Sequence, residues 1–169
     1  MEELESGLTQ HQFELHYQPK ICMDNGMLNG LEALVRFRHP VRGLLYPGDF
    51  IELCEHKGLI DQLSFEVITM AIQQLLIWNQ QGFAPRISVN LSGRSFSNSA
   101  FTQDVMKLLT QAAIAPSDLI FEVTETQVIG NIGQALAFLS RLRLNGFGLS
   151  IDDYGTGYSS VKQLSQIPF

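Results

Sequence analysis

The sequence is poor in cysteine, in basic runs and in long apolar stretches, and each shortage removes a class of function. Two cysteines, Cys22 and Cys54, stand far apart with no Cys-x-x-Cys spacing. That pattern speaks against a disulfide framework or a zinc site and suits reduced thiols in the cytoplasm. The 11 Lys and Arg are outnumbered by 17 Asp and Glu, which leaves a net charge of −6. An acidic chain without a basic run is ill suited to gripping a nucleic-acid polymer. No apolar stretch reaches the roughly 20 residues of a membrane span, so no membrane contact is expected from this segment. The opening Met1-Glu2-Glu3-Leu4-Glu5 is acidic, the opposite of a signal peptide. Internal repeats and low-complexity tracts are missing as well.

What the chain does have is an alternation of strand and helix patterns. Its 169 residues, 45% of them hydrophobic, suffice for one domain with a sizeable core. Residues 1–12 read as a lead-in, the tail of a linker helix from a preceding domain. Residues 13–21 alternate and read as a strand, Asn25-Gly26 signals a turn, and 28–38 read as a second strand, hairpin-paired with the first. Pro47-Gly48-Asp49 precedes a short helix over 50–57, which Gly58 closes. Asp61 is expected to cap a long helix over 62–80. A strand follows over 86–92, and Ser99 is expected to cap a helix over 100–113. A strand at 119–124, an Asn131-capped helix at 132–145 and a strand at 147–153 complete the pattern. Gly155 to Phe169 hold a glycine-rich loop and the start of another helix. The alternation implies an α/β fold, with a parallel sheet covered on both faces after an antiparallel opening.

Four of these strands carry an acidic or amide side chain near the C-terminal end: Leu31-Glu32-Ala33-Leu34, Ser88-Val89-Asn90-Leu91, Phe121-Glu122-Val123-Thr124 and Ser150-Ile151-Asp152-Asp153. In α/β folds those ends gather at one face, where sites are built. Strand alternation puts Glu32, Asn90, Glu122 and Asp152 on the inner face, with Asp153 at the strand tip, where a backbone bend would aim it at a neighbouring ion. Any one of them alone also suits a cap or turn. Four strands in series are harder to explain so, because a buried, uncompensated carboxylate costs several kcal/mol. Hard oxygen ligands with no neutralising Lys or Arg among them call for divalent cations. Arg36 shares the face of Glu32, roughly 13 Å further along, which suits either a phosphate contact or a surface ion pair. Glu125, just past its strand, is placed to hold a neighbouring loop. The loop Tyr154 to Ser160 has two glycines but lacks the Walker lysine. His11, His16, His39 and His56 show no metal-ligand spacing.

Read in order, these segments resemble the EAL domain family of bacterial cyclic-di-GMP phosphodiesterases. Tyr17-Gln18-Pro19-Lys20 resembles the family's first-strand motif, and Glu32-Ala33-Leu34-Val35-Arg36 with His39-Pro40 its name-giving motif. Asn90-Leu91-Ser92, Glu122-Val123-Thr124-Glu125 and Asp152-Asp153-Tyr154-Gly155-Thr156-Gly157 resemble three further motifs. The resemblance implies a (β/α)8 TIM-like barrel with an antiparallel first strand, and a site with two Mg2+ or Mn2+ ions. Glu32, Asn90, Glu122 and Asp152 would hold the first ion, and Asp152 with Asp153 would help hold the second. Gln18 and Arg36 would contact cyclic-di-GMP, and Glu125 would brace the loop from Asp153 to Ser160. Glu32, Asp152 and Asp153 would be catalytic through the metals, which activate water to open one phosphodiester and give linear pGpG.

A barrel of this kind takes about 250 residues. Residues 13–169 are therefore expected to be the N-terminal portion of an EAL domain, with about five of the eight strands. The family's later lysine and glutamate have no counterpart here. Weak or no hydrolysis by the isolated chain is expected, with a homodimer or strand swap as one route to completion and an upstream sensory or receiver domain in a parent protein. The alternative is a non-catalytic module that binds cyclic-di-GMP or regulates by dimerising.

Overall fold

The computed structural model describes residues 2–153. The expected glycine loop at Tyr154 to Ser160 and the helix start after it lie outside the described residues. The chain divides into two compact units, Met1–Pro85 and Arg86–Phe169.

In the first unit, α1 (Glu2–Thr9) precedes β1 (Phe13–Ile21) and β2 (Leu28–His39). The two strands pair antiparallel from Phe13↔Phe37 to Ile21↔Leu28, with an irregularity between Lys20 and Ile21. The expected hairpin is there. A short strand β3 (Gly43–Leu45) extends it, pairing antiparallel with β2. This strand was not expected; its cause is His39, whose Nδ1 accepts from the backbone N–H of Val41 at 3.1 Å and of Arg42 at 3.0 Å. The chain folds back around Pro40 as a result. Phe13 stacks on Phe37 with centroids 4.7 Å apart, and Phe50 meets Phe13 edge-on at 5.6 Å. Helix α1 sits on this cluster through buried Leu4 and Leu8. The approach needs glycine at position 7, since a Cβ there would lie 2.7 Å from Phe37 Cε2.

Helices α2 (Ile51–Lys57) and α3 (Ile60–Gln80) follow. The buried stripe of α3 runs Ile60, Leu63, Val67, Ile68, Ala71, Ile72 and Leu75, the spacing of one helix face. Its start differs from expectation: Leu59 is the N-cap and Asp61 lies inside the first turn. There its charge still suits the positive helix end. Trp78 meets Tyr17 edge-on at 4.9 Å, and burial pushes the Tyr17 phenol up to about 12. Burial likewise raises the thiol of Cys54 to about 11.

The second unit holds β4 (Ile87–Asn90), β5 (Leu119–Thr124) and β6 (Gly148–Asp152), with β5 between the other two and all parallel. Helices α4 (Phe101–Ala112), α5 (Glu125–Gly130) and α6 (Ile132–Leu144) connect and cover them. The core is aromatic: Phe121 packs on Phe101 at 5.8 Å and Phe147 at 5.2 Å, and Phe138 joins Phe101 at 5.4 Å. Asn131 caps α6 as expected, accepting from the Gln134 N–H. At α4 the N-cap is Ala100 rather than the expected Ser99, and Asn98 Oδ1 accepts from the N–H groups of Ala100 and Phe101, both at 3.1 Å. Helix α5 was not expected. It forms because Thr124 and Gln127 exchange side-chain and backbone hydrogen bonds at 3.4 and 3.0 Å, a reciprocal cap that starts a helix at the strand end.

Candidate functional site

The expected site residues are divided between the two units, and each group is taken in turn. On the hairpin, Gln18 lies directly opposite Glu32 in the antiparallel register. Directly opposed residues share a face, and so do residues two and four apart on one strand. Gln18, Glu32 and Arg36 therefore stand together on one face of the β1–β2 ribbon. The Arg36 guanidinium carbon lies 4.7 Å from the Tyr46 ring centroid, and Nη1 donates to the Val35 carbonyl at 2.8 Å. Its buried Nε has no hydrogen-bond partner among the described residues. The stacking and the Val35 bond hold the half-buried guanidinium in place on the hairpin face.

The hairpin corrects one expectation. Glu32 was read as having no neutralising cation, yet Lys20 Nζ lies 3.6 Å from Glu32 Oε2. Lys20 is diagonal to Glu32 across the ladder, within reach of a long side chain. The alternation of β1 puts Lys20 on the face of Gln18, and the ladder register brings that face level with Glu32.

At the base of the hairpin, His39 is buried. Since Nδ1 accepts two backbone N–H bonds, its proton is assigned to Nε2. That nitrogen lies 3.3 Å from Glu3 Oε2 on α1, without hydrogen-bond alignment. Arg42 adds a contact to the same carboxylate at 3.4 Å.

In the second unit, Asn90 is the register partner of Glu122, and Glu122 of Ser150. Asp152 pairs with Thr124, one step beyond. Glu122 is only 4% exposed, whereas Asn90 and Asp152 are exposed at their strand ends. The expected bend at the tip of β6 is present: Asp153 has φ 55°, and its N–H donates to Asp152 Oδ1 at 3.0 Å. Glu125 opens α5 and is 3% exposed, placed where the N-terminal end of a helix favours a carboxylate. The loop it is expected to brace lies outside the described residues. Oxygen is the donor atom throughout, which suits a hard divalent cation. Among the described residues, no three His, Cys, Asp or Glu side chains stand close enough together to hold a metal ion.

An antiparallel opening hairpin followed by β/α units with polar strand ends defines the class: an α/β protein with the plan of a TIM-like barrel. The EAL domain family model matches residues 1–169, and the chain belongs to that family. It is 40% identical over 169 residues to the bifunctional diguanylate cyclase/cyclic di-GMP phosphodiesterase MucR of Pseudomonas aeruginosa, covering 99% of this chain and 25% of that protein. To the cyclic di-GMP phosphodiesterase NbdA of the same organism it is 43% identical over 168 residues, covering 99% of this chain and 22% of that one. Among solved structures, a MucR phosphodiesterase in complex with c-di-GMP superposes with a TM-score of 0.91 at 41% identity, covering 98% of this chain and 68% of the other. The chain thus spans about a quarter of the length of these curated relatives. No helix among the described residues is long and apolar enough to cross a membrane.

Proposed function

We propose that the chain is the substrate- and metal-binding part of a cyclic-di-GMP phosphodiesterase that releases linear pGpG. The observation that carries this reading is the hairpin face: Gln18, Glu32 and Arg36 stand together on it, and stacking on Tyr46 with a bond to the Val35 carbonyl fixes the Arg36 guanidinium there. An amide, a carboxylate and a fixed guanidinium are the donors and acceptors that a guanine dinucleotide and its phosphates require. Glu32, Asn90, Glu122, Asp152 and Asp153 are assigned as metal ligands, each by its own motif, and Mg2+ or Mn2+ suits their oxygen donors. Divalent ions, when bound, would lower the pKa of a nucleophilic water and offset charge on the phosphate. The chain's own residues orient the dinucleotide: Gln18 by hydrogen bonding, and Arg36 by an ion pair with a phosphate oxygen. Glu125 is assigned to brace the segment after Asp153 by its place in the Glu122-Val123-Thr124-Glu125 motif.

The relatives' greater length supports a parent protein in which this chain is joined to a sensory or receiver domain.

The test is conversion of cyclic-di-GMP to pGpG with Mg2+ or Mn2+, for the protein and for Glu32→Ala. Turnover that disappears in the variant supports the reading. Binding of the dinucleotide without turnover under either metal would make the protein a receptor. Absence of both would overturn the proposal.

A further inference from the structure

Lys20 has no role in the reading above, yet it is the residue whose charge most directly opposes that reading. Its ammonium lies 3.6 Å from the Glu32 carboxylate, with the two side chains 35% and 20% exposed. Three features of the hairpin bring it there. Lys20 lies two residues from Gln18 on the same face of β1, and Gln18 is the direct partner of Glu32. Its own partner across the ladder is Gly30, which presents no side chain and leaves the aliphatic stem a path toward Glu32. The ladder shifts immediately after Lys20, between Lys20 and Ile21, so this is the last residue before the hairpin loop that keeps the diagonal relation to Glu32.

A divalent cation approaching Glu32 meets this ammonium at the same carboxylate. Like charges around one carboxylate repel, and the repulsion is stronger in a half-buried site than in water. We propose that Lys20 is a resident counter-cation of Glu32: it neutralises the carboxylate in the metal-free protein and weakens the binding of the divalent ion. Lys20 thus sets the metal concentration at which the site fills. The inference rests on the assignment of Glu32 as a metal ligand.

The experiment is a direct Mn2+ titration, read by the loss of the free-ion signal in electron paramagnetic resonance, so it needs no turnover. It compares wild type, Lys20→Met, Lys20→Gln, Lys20→Arg and Glu32→Gln at constant ionic strength, with thermal unfolding to establish that each is folded. Met and Gln keep the stem and remove the charge. Both should bind Mn2+ about twofold to fivefold more tightly than wild type, the range that a partly exposed ion pair commands. Lys20→Arg should stay near wild type, and Glu32→Gln should lose most of the binding. Unchanged or weaker binding in both neutral variants, with Glu32→Gln still defective, would overturn the inference and make Lys20 a group that merely orients Glu32. Equal Mn2+ binding in wild type and Glu32→Gln would remove Glu32 from the metal site, overturning the functional assignment and this inference with it.

Discussion

Glu32 and Glu122 are both carboxylates borne on strands of one chain, yet their settings differ in kind. Glu32 belongs to a two-stranded antiparallel ribbon, where every polar residue acquires a cross-strand neighbour and stays partly hydrated; Gln18 and Lys20 are such neighbours. Glu122 lies on the middle strand of a parallel set, 4% exposed above an aromatic core. A hairpin brings a charge of opposite sign to its carboxylate from across the ladder. A central parallel strand instead encloses it, with the strands on either side and the core beneath.

The contrast is sharpened most by cutting into the apolar interior of the second unit. Phe121→Ala removes a fully buried ring touching Phe101 and Phe147. It should cost about 3–5 kcal/mol in urea denaturation. In the first unit, Gly7→Leu drives a side chain into the Phe37 ring that now lies 2.7 Å from the Cβ position. A loss of about 1–3 kcal/mol is expected by the same assay, with hydrogen exchange in α1 accelerating first. Thr124→Ala breaks the reciprocal cap of α5 and should cost about 1 kcal/mol.

The smallest effect tests the charge lattice of the hairpin. Hydrogen bonds from His16 and Arg38 hold the Glu14 carboxyl below its ordinary 4.5. With the folded value depressed, the unfolded chain binds more protons, so the stabilisation is present above about 4.5 and disappears as pH falls through the lower folded value. Because Glu14 is 30% exposed and Arg38 is 68% exposed, the effect should stay below about 0.5 kcal/mol. Unfolding midpoints of wild type and Glu14→Gln should therefore differ slightly at pH 7 and converge toward pH 3; divergence on acidification would contradict it.

Much of this architecture was legible in residue patterns. Alternation gave the hairpin, apolar runs gave the parallel strands, and the α3 stripe was plain in its spacing. The cap at Asn131 could be read because nothing nearby competes with it. At α4 the helix starts one residue later than Ser99 would set it, with Ala100 as N-cap and the Asn98 side chain accepting from two N–H groups at once. The Lys20–Glu32 pair was hidden by the loop. A tight two-residue turn at Asn25-Gly26 would have paired Gln18 with Ala33. The wider loop instead closes with the Cys22 N–H on the Met27 carbonyl at 2.8 Å, and the irregularity after Lys20 moves the register so that Gln18 meets Glu32. Such a one-residue slip exchanges the faces of every side chain, and nothing local in the sequence announces it. Helix α5 escaped for a related reason, since its short segment follows a strand directly and only the Thr124–Gln127 spacing marks it.

Histidine is usually the most versatile side chain a protein owns, able to give or take at either nitrogen. His39 has surrendered that versatility. With Nδ1 committed to two backbone N–H groups, neither nitrogen offers a lone pair to a metal and no proton can be relayed from one side of the ring to the other. The ring acts instead as a fastener of the turn after β2, so a residue that invites suspicion of chemistry belongs to the carpentry of the fold.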